Sequence, residues 1–257
     1  RMEYDNLEIL VVDDGSTDNT SELIAEKYPI VRLLKGDGNL WWSGATNLGI
    51  VDAMSRDSEY VFLLNNDTVV EKDFLSLLVE SAEGNRRSII APVIRYYGER
   101  DRIWFSGGIL LPSWRGLAHR AQAEQEPNSN GRLLQVDWLT GMMLVKTEYF
   151  KEIGLMDCDS FPQYWADADF SLRAGELGYR LLVDHESVIY HKVKVPDRTR
   201  ASIRGLLGSG KLLFDVRSQS NIVFVTRFYH RHLPIGAVPL GIFLYYQRLA
   251  LSALPRH

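Results

Sequence analysis

Hydrophobic and polar positions alternate in blocks along the first 95 residues, and each block reads as one element. Residues 7–12 (Leu-Glu-Ile-Leu-Val-Val) are apolar and β-branched and run into the polar stretch Asp13-Asp14-Gly15-Ser16-Thr17-Asp18-Asn19, which predicts a buried strand and a turn. Asn19 and Glu22 have the spacing of a capping box, and Leu23, Ile24 and Tyr28 follow as one helix face that Pro29 ends. Residues 30–34 predict a second strand, Gly36-Asp37-Gly38-Asn39 a loop, and Ser43 to Met54 a helix. Tyr60 to Leu64 predict a third strand that delivers Asn65-Asn66-Asp67 at its end. A helix is predicted near 71–83, with Glu71 and Asp73 in its first turn as the helix dipole favours, and a strand from Ser88 to Ile94. This alternation predicts an α/β fold with a mostly parallel central sheet. Ligands in such sheets bind beyond the carboxyl ends of the strands, where both acidic clusters fall, so a single cleft is expected.

The pattern changes after residue 95. Gly, Trp and Tyr become frequent, which predicts an irregular lobe with a surface loop at 121–131. Gln135 to Leu139 and Met142 to Lys146 predict strands, and Thr147 opens a short helix ending at Gly154. Residues 169–177 predict a helix with Gly178 just past its end, and Tyr179 to Val183 and Ser187 to Tyr190 predict two more strands. Leu233 to Leu254 is rich in apolar and aromatic residues, yet Pro234, Pro239, Gln247 and Arg248 interrupt it. That is too broken for a spanning helix, and it fits equally a segment lying in a membrane interface or a buried helix pair.

Composition narrows the class. Apolar residues make up 46% and charged residues 24% of 257, the balance of an ordinary globular chain, which excludes disorder, collagen and coiled coil for the whole. A net charge of −4 gives no footprint for nucleic acid. The only cysteine, Cys158, can form neither an internal disulfide nor a cysteine zinc site, which fits a reducing compartment. The chain opens on Arg1 without a signal-peptide pattern, so a processed, trimmed or incompletely recorded start is expected.

Several motifs carry candidate chemistry. Asp13 and Asp14, between a strand and a helix, suit hydrogen bonds from a ribose or a base N–H, or simply a polar turn. Asp67 at a strand end, with a substrate diphosphate, would satisfy a hard divalent cation, although a plain turn explains it too. Asp167 and Asp169 stand two apart at a helix start, so one can face the cleft while the other caps the helix. A carboxylate buried beside Trp165 would gain proton affinity, as a general base requires. His185 and His191 flank a strand, but no further ligand has zinc spacing. Gly205 to Lys211 falls short of a P-loop, since Leu212 stands where Ser or Thr must hold magnesium.

Taken in order, these pieces resemble the family-2 inverting glycosyltransferases with the GT-A fold, over roughly residues 7–195. The likeness is carried by Val11-Val12-Asp13-Asp14-Gly15-Ser16, Asn39-Leu40-Trp41-Trp42-Ser43-Gly44-Ala45-Thr46-Asn47, Leu63-Leu64-Asn65-Asn66-Asp67, Trp138-Leu139-Thr140-Gly141, Gly154-Leu155-Met156-Asp157, Asp167-Ala168-Asp169-Phe170 and Gly178-Tyr179-Arg180. The nearest branch in pattern is the rhamnosyltransferase-like one, which acts on bacterial polysaccharide.

The resemblance implies a GT-A catalytic domain over 1–195, with a donor half to about 95 and an acceptor half from 96, and a helical extension over 196–257. It implies that Asp13 and Asp14 hold the donor's base and ribose, that Asn47 and Asn65 line the donor site, and that Asp67 with His191 binds Mg²⁺ or Mn²⁺. Thr140 and Gly141 would lie beside sugar and acceptor, Trp165 and Trp138 would stack on sugar rings, and Asp167 would be the general base. The donor implied is a nucleoside-diphosphate sugar of UDP or dTDP type. The acceptor is a glycan or a lipid-linked glycan, and the reaction is a single in-line displacement with inversion. The location implied is the cytoplasm, at the inner face of the plasma membrane if 233–254 touches lipid. The pattern departs from the family twice. Ala166 stands where a Glu usually precedes the base, and the family's first strand and first helix are missing before the strand that ends at Asp13, so either a fragment or a sheet completed by another segment is expected. A nucleotidyltransferase, or a truncated domain that binds nucleotide or a partner without catalysis, remains the alternative.

Overall fold

A computed structural model describes residues 4–110, 117–119, 131–192 and 211–252. The donor half opens with strand β1 (Leu10–Asp13) and strand β2 (Arg32–Lys35), paired in parallel with Leu10 opposite Arg32 and Asp13 opposite Lys35. Helix α1 (Thr20–Lys27) joins them, and helix α2 (Trp41–Ser55) packs against β1. The packing is close because Gly49 has no side chain: a Cβ there would lie 3.0 Å from Leu10. The expected capping box does not form. Asn19 sits in the left-handed region at φ 61° without a side-chain cap. Asp13 ties the turn to α1, accepting from Ser16 N–H at 2.9 Å and from the Ser21 hydroxyl.

The principal sheet has seven strands. Its path runs β3 (Tyr60–Phe62), β10 (Leu144–Lys146), β5 (Ser88–Tyr96), β11 (Arg180–His191) and β4 (Thr68–Val70). Strand β6 (Ile103–Phe105) joins β5, and β9 (Leu133–Val136) joins β11. A separate hairpin pairs β7 (Gly108–Leu110) with β8 (Leu117–His119). The α/β class holds, but the strand directions are mixed rather than mostly parallel. Among the described residues, only β1–β2 and β5–β11 run parallel, while β3, β4, β6, β9 and β10 pair antiparallel. The physical reason is that β10, from the second half of the chain, inserts antiparallel between β3 and β5, and β11 takes β4 and β9 antiparallel on its other contacts.

The two strands expected at 179–183 and 187–190 are one strand, β11, whose register slips between Asp184 and Val188. The slip accommodates the polar run Asp184-His185-Glu186 inside an otherwise apolar strand. Asp184 is fully buried there and accepts from Arg132 and the Ser81 hydroxyl. Helix α3 (Phe74–Gly84) covers this strand and starts after Glu71 and Asp73, so neither acid lies in its first turn. Helices α4 (Phe150–Ile153) and α5 (Ala166–Glu176) complete the second half.

The core does not stop at residue 195. Phe224, Val225, Phe228 and Tyr229, on a helix spanning Ile222–His232, belong to the same buried cluster as Ile89, Ile90 and Val183. A final helix, Val238–Ser252, packs on it. Among the described residues, no helix is long and apolar enough to cross a membrane. The loop expected at 121–131 and the glycine-rich run at 205–211 lie almost wholly outside the described residues.

Candidate active site

The pairing of β4 with β11 builds one end of the site. Thr68 stands opposite His191, so Asp67, immediately before β4, meets the last residue of β11. Asp67 Oδ2 lies 2.9 Å from His191 Nε2, and the Asp67 carbonyl accepts from Lys192 N–H at 2.7 Å. Asp67 is half-exposed and His191 is buried edge-on against Trp104, with ring centroids 4.5 Å apart. Among the described residues His191 Nδ1 has no hydrogen-bond partner, and no group of three His, Cys, Asp or Glu side chains converges. A carboxylate and an imidazole nitrogen facing each other at this spacing fit two ligands of a divalent cation. The remaining positions would fall to substrate phosphates and water.

The other end of the site is the first turn of α5. Asp167 Oδ2 accepts from Gly141 N–H at 2.8 Å and from the Thr140 hydroxyl at 3.2 Å, and Oδ1 accepts from Ala168 N–H at 2.9 Å. Protein atoms surround the carboxyl, although the residue keeps an accessible face. Burial raises its pKa, and the three neutral donors lower it by less, so the proton affinity ends above the usual carboxylate value. The residue before the helix, Trp165, holds φ at 76°, a conformation that L side chains rarely adopt.

One indole joins the two ends. Trp42 Nε1 donates to Asn65 Oδ1 at 3.0 Å, two residues before Asp67. The same ring lies against Gly141, where a Cβ would come within 2.4 Å of Cζ2. Gly141 in turn donates its N–H to Asp167, so contacts run unbroken from the Asp67 strand end to the base candidate. Trp42 was given no role from the sequence. Its only signal was a pair of tryptophans at a helix start behind a glycine-rich loop.

The other expected residues divide. Asp14 joins the donor-side rim by accepting from Gly38 N–H at 2.8 Å and Trp41 N–H at 2.9 Å, which fixes the loop entering α2. Asp13 is buried, and hydrogen bonds from Ser16 and Ser21 hold its carboxyl below the usual range. Asn47 clasps the backbone of Met156 with both ends of its amide, at 2.8 and 2.9 Å. It braces the two halves of the chain, so its amide is engaged with the backbone of Met156. Trp165 corrects another expectation: it is a core residue, not a sugar platform. Its indole N–H donates to the Gln219 carbonyl at 2.9 Å, and its ring packs on Phe228 and Tyr245. Trp138 is likewise buried, stacked on Phe105 and pressed against Gly108. Asp169 faces neither cleft nor helix cap. It is buried among Arg173, Arg231 and His232.

Comparison with known proteins agrees with this geometry. The profile of Glycosyl transferase family 2 matches residues 1–154. An N-acetylglucosaminyl-diphospho-decaprenol L-rhamnosyltransferase of Mycobacterium tuberculosis is 29% identical over 219 residues, which covers 76% of this chain and 69% of that protein. A crystal structure of GalNAc-T7 with UDP, GalNAc and Mn²⁺ aligns with a TM-score of 0.60 at 15% identity, over 96% of this chain and 48% of that one. This chain therefore spans about half the length of that protein. The mannosyltransferase PcManGT of Pyrobaculum calidifontis, in complex with GDP-Man and Mn²⁺, aligns with a TM-score of 0.53 at 18% identity, over 99% of this chain and 70% of that one. The structural likenesses establish the fold, and the profile match establishes the lineage: the chain is a GT-A protein that belongs to glycosyl transferase family 2.

Proposed function

We propose that this protein transfers a sugar from a nucleoside-diphosphate sugar to an acceptor hydroxyl, with inversion, in the assembly of a bacterial polysaccharide or cell-surface glycan. The observation that carries the reading is the Asp67–Asn65–Trp42–Gly141–Asp167 line, which joins a cation-ligand pair to a carboxylate of raised proton affinity.

In this reading Asp167 takes the proton from the acceptor hydroxyl as its oxygen attacks the anomeric carbon, and the bond to the diphosphate breaks on the opposite face. Thr140 and the Gly141 N–H hold the carboxylate so that its free lone pairs point to the acceptor. A positioned general base contributes about 10²–10⁴-fold in rate. Asp67 and His191 would hold Mg²⁺ or Mn²⁺, which when bound neutralises charge developing on the leaving diphosphate. Asp14 and the loop it anchors, Gly36 to Trp41, form the wall against which base and ribose would rest. The donor class is UDP or dTDP, and the rhamnosyltransferase relative supports a lipid-linked glycan as acceptor.

Nucleotide release from a panel of UDP-, dTDP- and GDP-sugars, with and without Mn²⁺ and a polyprenyl-diphosphate sugar acceptor, tests the proposal. The expected result is acceptor-stimulated release from one donor, abolished by chelation. Release of pyrophosphate from a nucleoside triphosphate instead would replace the reading with a nucleotidyltransferase.

A further inference from the structure

The net charge of −4 conceals a division. From Lys192 to His257 the chain has eleven Lys or Arg against two Asp, a formal charge of +9, whereas residues 1–191 carry −13. The last described helix, Val238–Ser252, lies in the basic part and is apolar on two faces. Ile242, Tyr245 and Tyr246 pack inward on the core. Leu240, Phe243 and Leu251, at spacings that return to one side of a helix, point outward and are 44%, 61% and 56% exposed. Ile235, in the turn that leads into the helix, is 78% exposed. Arg248 flanks this stripe, the preceding helix exposes Arg227 and His230, and the only carboxylate from 198 onward is Asp215.

Single exposed apolar residues are ordinary, but a stripe of large ones on one helix face marks an interaction surface. Two partners would satisfy it, and charge separates them. A second copy would set its own Arg248 against the first, with no carboxylate on this helix to pair either of them. An anionic bilayer attracts the same charge while its acyl boundary receives the stripe. We infer that the outer face of Val238–Ser252 docks this protein on an anionic membrane surface. The helix lies in the interface plane with Leu240, Phe243 and Leu251 inserted and Arg248 among the headgroups. The two C-terminal helices are fixed to the start of α5 through Trp165, Arg231 and His232. Docking therefore holds Asp167 at a set height above the lipid, where a lipid-linked acceptor would present its hydroxyl. Membrane binding itself does not rest on the transferase reading.

The test is flotation of the full chain with vesicles of phosphatidylcholine alone and with about one third phosphatidylglycerol added. The wild type should float with the anionic vesicles and less with the neutral ones, and salt at about 0.5 M should weaken it. The double variant Leu240→Ser, Phe243→Ser should partition about tenfold less or weaker still. Its melting temperature should stay unchanged, because both side chains face water. Arg248→Glu should lose binding to the anionic vesicles only. Wild type that stays unbound, or a double variant that floats like wild type, overturns the inference. So does a wild-type dimer that the double variant dissociates without any flotation, since the face would then belong to a second copy. Wild type that floats yet releases no nucleotide from any donor would sink the transferase reading and leave this one standing.

Discussion

Asp167 and Asp169 stand two residues apart in one helical turn, yet their surroundings push them in opposite directions. Burial lifts the proton affinity of Asp167, and its partners are all neutral: two backbone N–H groups and a hydroxyl. Burial opposes ionisation of Asp169 as well, but hydrogen bonds from His232, Arg231 and Arg173 outweigh it and hold its pKa down to about 2. Depth alone therefore does not decide what a carboxylate can do. Neutral donors leave it able to take a proton, whereas guanidinium and imidazole partners turn it into a fixed anion that fastens one element to another.

The sharpest break in this contrast is exchange of the charge at each position. Asp167→Asn should lower kcat by about 10²–10⁴-fold while donor binding by calorimetry persists; turnover at the parent rate would disprove the base. Asp169→Asn should act on the fold instead. It leaves Arg173, Arg231 and His232 without their shared anion, at a cost of about 3 kcal/mol that a denaturant titration reads directly.

Acid should separate the two residues by sign. A lowered carboxyl pKa stabilises the fold above the unfolded value and is lost as pH falls, so Asp169 contributes roughly 2 kcal/mol at neutral pH that disappears between about pH 4 and pH 2. The raised pKa of Asp167 has the opposite linkage: its contribution favours the fold at low pH and is lost as pH rises through the folded value. The ionised form is the base, so the acid limb of kcat/KM should lie above the ordinary carboxylate value of about 3.9. A limb at or below that value would mean that another group titrates.

At the other end of the candidate site, Asp67→Ala should weaken Mn²⁺-dependent donor binding by about 10–100-fold and leave metal-free binding unchanged. The smallest effect is expected at the indole between the ends. Trp42→Phe keeps an aromatic ring but removes the indole edge beside Gly141 and the hydrogen bond to Asn65, the latter worth about 0.5–1.5 kcal/mol, and should appear as a raised KM for the donor.

Much of this was legible in the sequence because its carriers are local. Apolar runs ending in Asp13 and Asp67 gave strands with polar ends, and Gly154 and Gly178 marked helix stops, both with φ above 80°. Asp67 and His191, both named from the sequence, pair at one strand end, and Thr140, Gly141 and Asp167 join at the first turn of α5. What could not be read depended on partners far along the chain. Asn47 was expected to bind substrate, and its bond to Met156, 109 residues away, could not be foreseen from the sequence. Trp165 looked like a sugar platform until Phe228 and Tyr245 covered it. The mixed strand directions were hidden for the same reason, because periodicity fixes what an element is but not which neighbour it will pair with. The capping box at Asn19 failed locally, because Asn19 lies in the left-handed region and its side chain makes no cap.

The indole of Trp42 has one consequence for how such a protein can change. A substitution that enlarges Gly141 to reshape the acceptor loop must displace the ring, and the ring carries Asn65 with it. Acceptor preference and grip on the departing nucleotide are thereby yoked, and variants selected for a new acceptor should arrive with an altered appetite for metal.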